Sequence, residues 1–123
     1  ITRLFQIWIQ PAERRLQPNW DQRAFPSGDR AGRLVPLASG RSGHAEALRI
    51  HQDAALFGAT LTAGQTVRHA LGRDRQAYLV PSTGQLTVNG VTLDARDGAV
   101  ISGEEEINIA ASADSELLLA DLP

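Results

Sequence analysis

Gln85-Leu86-Thr87-Val88-Asn89-Gly90-Val91-Thr92-Leu93 is the stretch whose reading decides the fold. Asn-Gly between two alternating apolar runs is the strongest short signal for a two-residue type I′ hairpin, because both central residues must adopt positive φ. Centring the turn on Asn89-Gly90 sets Val88 opposite Val91, Thr87 opposite Thr92 and Leu86 opposite Leu93. The two apolar pairs then share one face and the threonines the other. Turn chemistry and hydrophobic pattern agree on a single register.

Outward from this hairpin the same grammar repeats. Short runs at Leu34–Ala38, Glu46–His51, Leu56–Leu61, Val67–Leu71, Gln76–Val80, Ala99–Ser102, Glu106–Ala111 and Glu116–Ala120 alternate with turn signals such as Ala63-Gly64, Gly72-Arg73-Asp74, Ser82-Thr83-Gly84 and Asp97-Gly98. About ten short strands at even spacing, without helical periodicity, predict a sandwich or barrel. Towards the N-terminus, Leu4–Ile9 also reads as a strand, with Phe5, Ile7 and Ile9 on one face. Pro18–Arg33 has the composition of an extended arm. Trp20 and Phe25 in that arm are expected to be covered by a β-surface.

The composition excludes several chemistries. The 123 residues contain no cysteine, and all twelve basic residues are arginine. Disulfides, thiolate metal sites, cysteine nucleophiles and lysine Schiff bases are therefore ruled out. A net charge of −2 argues against nucleic acid as a partner. No apolar run is long enough to span a membrane and no secretory leader is visible, so the expected setting is the cytoplasm. The charge is uneven: residues 1–49 hold eight arginines against four acids, and residues 50–123 hold four against ten. A basic arm lying across an acidic body would use this asymmetry.

Candidate chemistry is sparse. His44 sits in a Gly/Ser-rich turn and is expected to face solvent. His51 and Asp53, two apart at a strand end, could point the same way and share a ligand. His69 alternates with Val67 and Leu71 and should face the core with them. A lone buried histidine is more often hydrogen-bonded structure than a metal ligand. Glu104-Glu105-Glu106 reads as a solvated loop tip, as do Asp114 and Glu116. No phosphate loop, serine elbow or zinc-protease helix motif is present.

The order of short motifs resembles a known family. Phe5-Gln6-Ile7-Trp8-Ile9-Gln10-Pro11 and Pro18-Asn19-Trp20 are similar to the inter-domain segment of pirin-like bicupins. Ile50-His51-Gln52-Asp53-Ala54, Leu61-Thr62-Ala63-Gly64, Arg75-Gln76-Ala77-Tyr78-Leu79, Val88-Asn89-Gly90, Asp97-Gly98 and Leu117–Pro123 resemble the C-terminal cupin half of the same bacterial family, which includes quercetin 2,3-dioxygenase-type proteins. The resemblance implies an all-β, cupin-like double-stranded β-helix (jelly-roll) barrel over 34–123, with a strand and inter-domain arm over 1–33. It also implies that the metal, held by three histidines and a glutamate, belongs to an N-terminal barrel. Here Gly64 and His69 match the first cupin motif, but Leu71 stands where its second histidine belongs. Arg75-Gln76-Ala77 occupies the glutamate zone, and no histidine follows Asp97-Gly98.

The expectation is thus a non-catalytic chain with no cofactor of its own. His69 is a vestigial ligand, and His51 and Asp53 are weaker metal candidates. A divalent metal such as iron would belong to a full-length parent with dioxygenase activity. The expected partner is an N-terminal cupin domain or a second copy of the chain. A small aromatic ligand in the barrel, or a protein-interaction role, is the alternative.

Overall fold

The computed structural model describes residues 1–123. Ten strands follow a single 3-10 turn at Ser27–Arg30: β1 (Val35–Ser39), β2 (Leu48–Arg49), β3 (Ala55–Leu61), β4 (Thr66–Ala70), β5 (Gln76–Thr83), β6 (Gln85–Val88), β7 (Val91–Asp94), β8 (Ala99–Ser102), β9 (Glu106–Ala111) and β10 (Ser115–Leu122). They form a six-stranded sheet, β2-β1-β3-β10-β5-β8, and a four-stranded sheet, β4-β9-β6-β7. No helix is long and apolar enough to cross a membrane.

The core lies between the sheets. Phe57, Ala59 and Leu61 of β3, Leu79 of β5, and Leu117 and Leu119 of β10 meet Leu86, Val88, Leu93, Ile107 and Ile109 from the four-stranded sheet. Period-2 alternation selects these residues: β5 and β9 bury alternate positions through most of their length. Pro81 lies in β5 beside a register shift, where Leu117 pairs with Pro81 but Glu116 pairs with Thr83. A bulge is where an interior strand tolerates proline, which has no N–H for the ladder.

The β6–β7 hairpin has the register read from the sequence, Leu86 with Leu93, Thr87 with Thr92 and Val88 with Val91. Asn89 and Gly90 have φ of 45° and 85°, as a type I′ turn requires. Val91 departs from the expected apolar face: it is 60% exposed, because the hairpin tip extends beyond the core that buries Val88.

The N-terminal segment differs more. Leu4–Ile9 is not in a strand, and the backbone of residues 1–9 makes no hydrogen bond. Alternation gives a segment the faces of a strand, but a ladder neighbour makes it one, and none lies within this chain. Trp20 is 84% exposed rather than covered, while Phe25 is half-buried. The expected Glu46–His51 strand contracts to Leu48–Arg49, paired in parallel with β1.

The arm nonetheless follows the barrel. The Ala12 N–H donates to the His51 carbonyl (2.8 Å), and the Gln52 amide to the Gln10 carbonyl (2.9 Å). An Arg23 guanidinium nitrogen reaches the Glu46 carbonyl, and the Gly32 N–H donates to Thr60 of β3 (2.8 Å). Of the expected contacts between basic arm and acidic body, the ion pair Arg30–Glu116 at 3.9 Å is formed.

Candidate functional site: a buried carboxylate and its partners

A cluster of polar side chains gathers at one end of the barrel, around Asp121. Leu117, Leu119 and Asp121 share the inner face of β10, and the Asp121 side chain is wholly buried. Its Oδ1 accepts a hydrogen bond from Arg75 Nε at 2.6 Å. Its Oδ2 accepts from Arg41 Nη1 at 2.9 Å and pairs with His69 Nε2 at 2.7 Å. His69 comes from β4 in the other sheet, Arg75 from the turn before β5, and Arg41 from the turn after β1. Three separate segments therefore converge on the carboxylate of a fourth.

Outside this centre, Asp53 ties the two arginines together. Its carboxylate lies 2.8 Å from Arg75 Nη1 and 3.5 Å from Arg41 Nε, and its carbonyl accepts from Arg75 Nη2 at 2.6 Å. Two guanidinium groups thus face two carboxylates. Burial pushes the Asp121 carboxyl up, but the hydrogen bonds from His69 and Arg75 and their charges outweigh it and hold the group below the ordinary carboxylate value. Burial likewise lowers the Arg75 guanidinium, and its bonds to Asp121 and Asp53 more than restore it, so its pKa is raised. Because Asp121 is ionised, the His69 nitrogen that faces it is the protonated, donating one.

Beside His69 lies Phe57, with ring centroids 4.8 Å apart at 59°. His44 meets the same phenyl ring edge-on at 5.5 Å and 84°. The His44 imidazole is also hydrogen-bonded through Nδ1 to the buried Ser39 hydroxyl at 2.7 Å. His44 is therefore half-buried and fixed rather than solvent-facing. The Gly/Ser composition of its turn hid this, because the partners Ser39 and Phe57 belong to β1 and β3.

His69 turns inward, as the alternation with Leu71 predicts, although it and Val67 remain half-buried. His51 and Asp53 are both exposed, and Asp53 is paired with Arg75 and Arg41. At the Glu104–Glu106 tip all three residues are exposed, with Glu105 paired to Arg73 at 2.8 Å. Asp114 caps the Ala63 N–H at 2.9 Å.

Sequence reasoning missed Asp121, the centre of the site. The signal was present: in Leu117-Leu118-Leu119-Ala120-Asp121-Leu122, period 2 places a lone acid on the apolar face of a strand. Such a residue needs buried partners.

This end of the barrel does not fit a metal. No group of three or more His, Asp or Glu side chains gathers as a metal site requires. Of the two candidate donors that do meet, both Asp121 oxygens are already engaged, and two guanidinium groups oppose any added cation.

Two packed, mostly antiparallel sheets closing on one apolar core define a barrel of the cupin class. A cupin protein from Bacteroides fragilis shares the fold, with a TM-score of 0.60 over 86% of each chain at 19% identity. Residues 37–122 match the model of the quercetinase C-terminal cupin domain, and the chain belongs to that pirin-like family.

Its relatives include a pirin-like protein of Caulobacter vibrioides, 54% identical over 98% of this chain and 52% of the relative. A protein of Escherichia coli K12 named quercetin 2,3-dioxygenase is 36% identical over 98% of this chain and 50% of its own length. The chain thus spans about half the length of the curated relatives it matches. The crystal structure of the bacterial pirin YhhW from E. coli in complex with nickel(II) superposes with a TM-score of 0.85 at 32% identity, covering 94% of this chain and 48% of that one.

Proposed function

We propose that this chain is the catalytically silent, metal-free C-terminal cupin of a longer pirin-like protein, and that it stabilises and covers an N-terminal cupin bearing the metal. Residues 34–123 form the silent barrel and residues 1–33 the arm between the halves. The observation that carries this reading is the closure of Asp121 by Arg75, Arg41 and His69. A fixed set of protein cations supplies the charge that a metal would otherwise supply. A barrel interior filled by a continuous apolar cluster adds to it, since a substrate needs a cavity. The dioxygenase activity named for the E. coli relative would then reside in the half that this chain does not contain.

The test is quercetin turnover with added nickel, iron, copper or manganese. The purified 123-residue chain should give no rate above free metal. A chimera carrying it in place of the matching half of the C. vibrioides protein should turn over at the rate of that unaltered protein, if the latter is active, and should melt at a higher temperature than its N-terminal half alone. Turnover by the isolated chain, or a chimera whose halves melt independently, would refute the reading.

A further inference from the structure

Asn89-Gly90 is the only Asn-Gly in the chain; Asn19 and Asn108 precede the bulky Trp20 and Ile109. A glycine after asparagine leaves the next backbone nitrogen with no Cβ to shield it. Gly90 is exposed, its N–H makes no backbone hydrogen bond, and open space surrounds the place of a Cβ. A nucleophile for attack on the Asn89 side chain is therefore in place. That side chain, however, is held. Its Oδ1 accepts from the Asn108 N–H at 2.7 Å, and its Nδ2 donates to the Glu106 carbonyl at 3.1 Å. Both partners are backbone groups, one only a donor and the other only an acceptor, so the amide fits in one orientation. With its own N–H on the Asn108 carbonyl at 3.0 Å, Asn89 makes three bonds to β9. The β6–β9 ladder itself is only three residue pairs long, from Leu86–Ala111 to Val88–Ile109. Asn89 thus clasps the end of the hairpin to β9, the strand that joins the hairpin to β4.

We propose that Asn89 is a deamidation site restrained by this clasp, and that its reaction loosens the β6–β7 hairpin irreversibly. The Gly90 nitrogen forms a bond to Asn89 Cγ and loses its proton, while the Cγ–Nδ2 bond breaks and ammonia leaves. Water then opens the cyclic imide at one carbonyl or the other, giving isoaspartate or aspartate. No oxidant or cofactor enters. Attack requires Cγ to turn onto the Gly90 nitrogen, which breaks both side-chain bonds, so the reaction waits on the hairpin lifting from β9. Neither product restores the clasp. A carboxylate only accepts, and it would face the Glu106 carbonyl where Nδ2 donated. It also adds a negative charge to a shallow polar hollow that Asn89 shares with Glu104, Glu105 and Glu106. Isoaspartate lengthens the backbone as well, which a two-residue type I′ turn does not accommodate.

Mass spectrometry of the purified chain, aged at mildly alkaline pH both folded and in guanidinium chloride, tests this. Trypsin releases Gln76–Arg96, in which Asn89 is the one asparagine, and Leu16–Arg23, which carries Asn19. In denaturant Gln76–Arg96 should gain the mass of one deamidation, with isoaspartate the major product, while Leu16–Arg23 stays unchanged. The folded chain should react slower by a factor on the order of 100, because the hairpin must first open locally. Asn89→Asp should unfold at a lower urea concentration than the unaltered chain. The deamidated fraction of aged folded protein, separated by charge, gives the same comparison without a substitution. Equal rates in the folded and denatured chain overturn the restraint by the clasp. No reaction in denaturant overturns the site. Unchanged urea midpoints for Asn89→Asp and for the deamidated fraction overturn the loosening.

Discussion

His69 on β4 and Asp121 on β10 meet at 2.7 Å from opposite sheets, and this pair joins the two layers at one end of the barrel. With Arg75 and Arg41 it forms a cluster of charge-assisted hydrogen bonds among protein groups.

Removing the carboxylate charge leaves two half-buried guanidinium groups without their buried partner. Asp121→Asn should destabilise the chain by about 3 kcal/mol. That corresponds to a fall of roughly 10 °C in melting temperature for a domain of this size. His69→Ala removes one of three donors and a contact with Phe57, and should cost about half as much. Thermal unfolding of the single and double variants checks this, with a double-variant cost smaller than the sum of the two.

The same carboxylate should shape acid unfolding. Its pKa is lower in the folded state than in the unfolded chain, so the unfolded chain takes up the proton first as pH falls. The stabilisation is fully present above about pH 5 and is lost as pH falls towards the folded-state value. Asp121→Asn should therefore flatten the acid limb of a stability–pH profile measured by urea unfolding. An unchanged limb would mean that other carboxylates govern it.

Two glycines separate conformational from steric demand. Gly90 has φ of 85° with open space where a Cβ would stand, so Gly90→Ala should cost about 1 kcal/mol from backbone strain alone. Gly84 has φ of 82°, but a Cβ there would lie 2.1 Å from Ser115 Oγ and 2.3 Å from the Asp114 carbonyl. Gly84→Ala must also displace the start of β10, and should cost roughly 3 kcal/mol. Urea midpoints of the two variants should rank in that order.

The strands and their register were legible because period-2 patterning and Asn89-Gly90 are local signals. Asp121 was legible only as an anomaly on an apolar strand face. Its partners Arg41, His69 and Arg75 come from three distant segments, and no sequence spacing encodes their meeting. The misreading of Leu4–Ile9 has a different cause: the pattern was that of a strand, but pairing is a property of two segments and no other segment of this chain pairs with it.

Limited trypsin digestion should distinguish the two parts of the arm. Arg14 and Arg15 are exposed, in a stretch held to the barrel by few hydrogen bonds. Arg30 is only 17% exposed, bonded to the Phe25 carbonyl at 3.0 Å and followed by the Gly32–Thr60 bond. Cleavage at Arg14 or Arg15 should precede cleavage at Arg30 by a wide margin. Moderate salt should narrow it by screening Arg30–Glu116.

The central claim is that protein cations have taken the place of the metal at this end of the barrel. Elemental analysis of the 123-residue chain, purified without chelator and dialysed against nickel and iron, measures it directly. The account predicts far less than one metal ion per chain, with the same trace level in His69→Ala. One ion per chain that disappears in His69→Ala would contradict it.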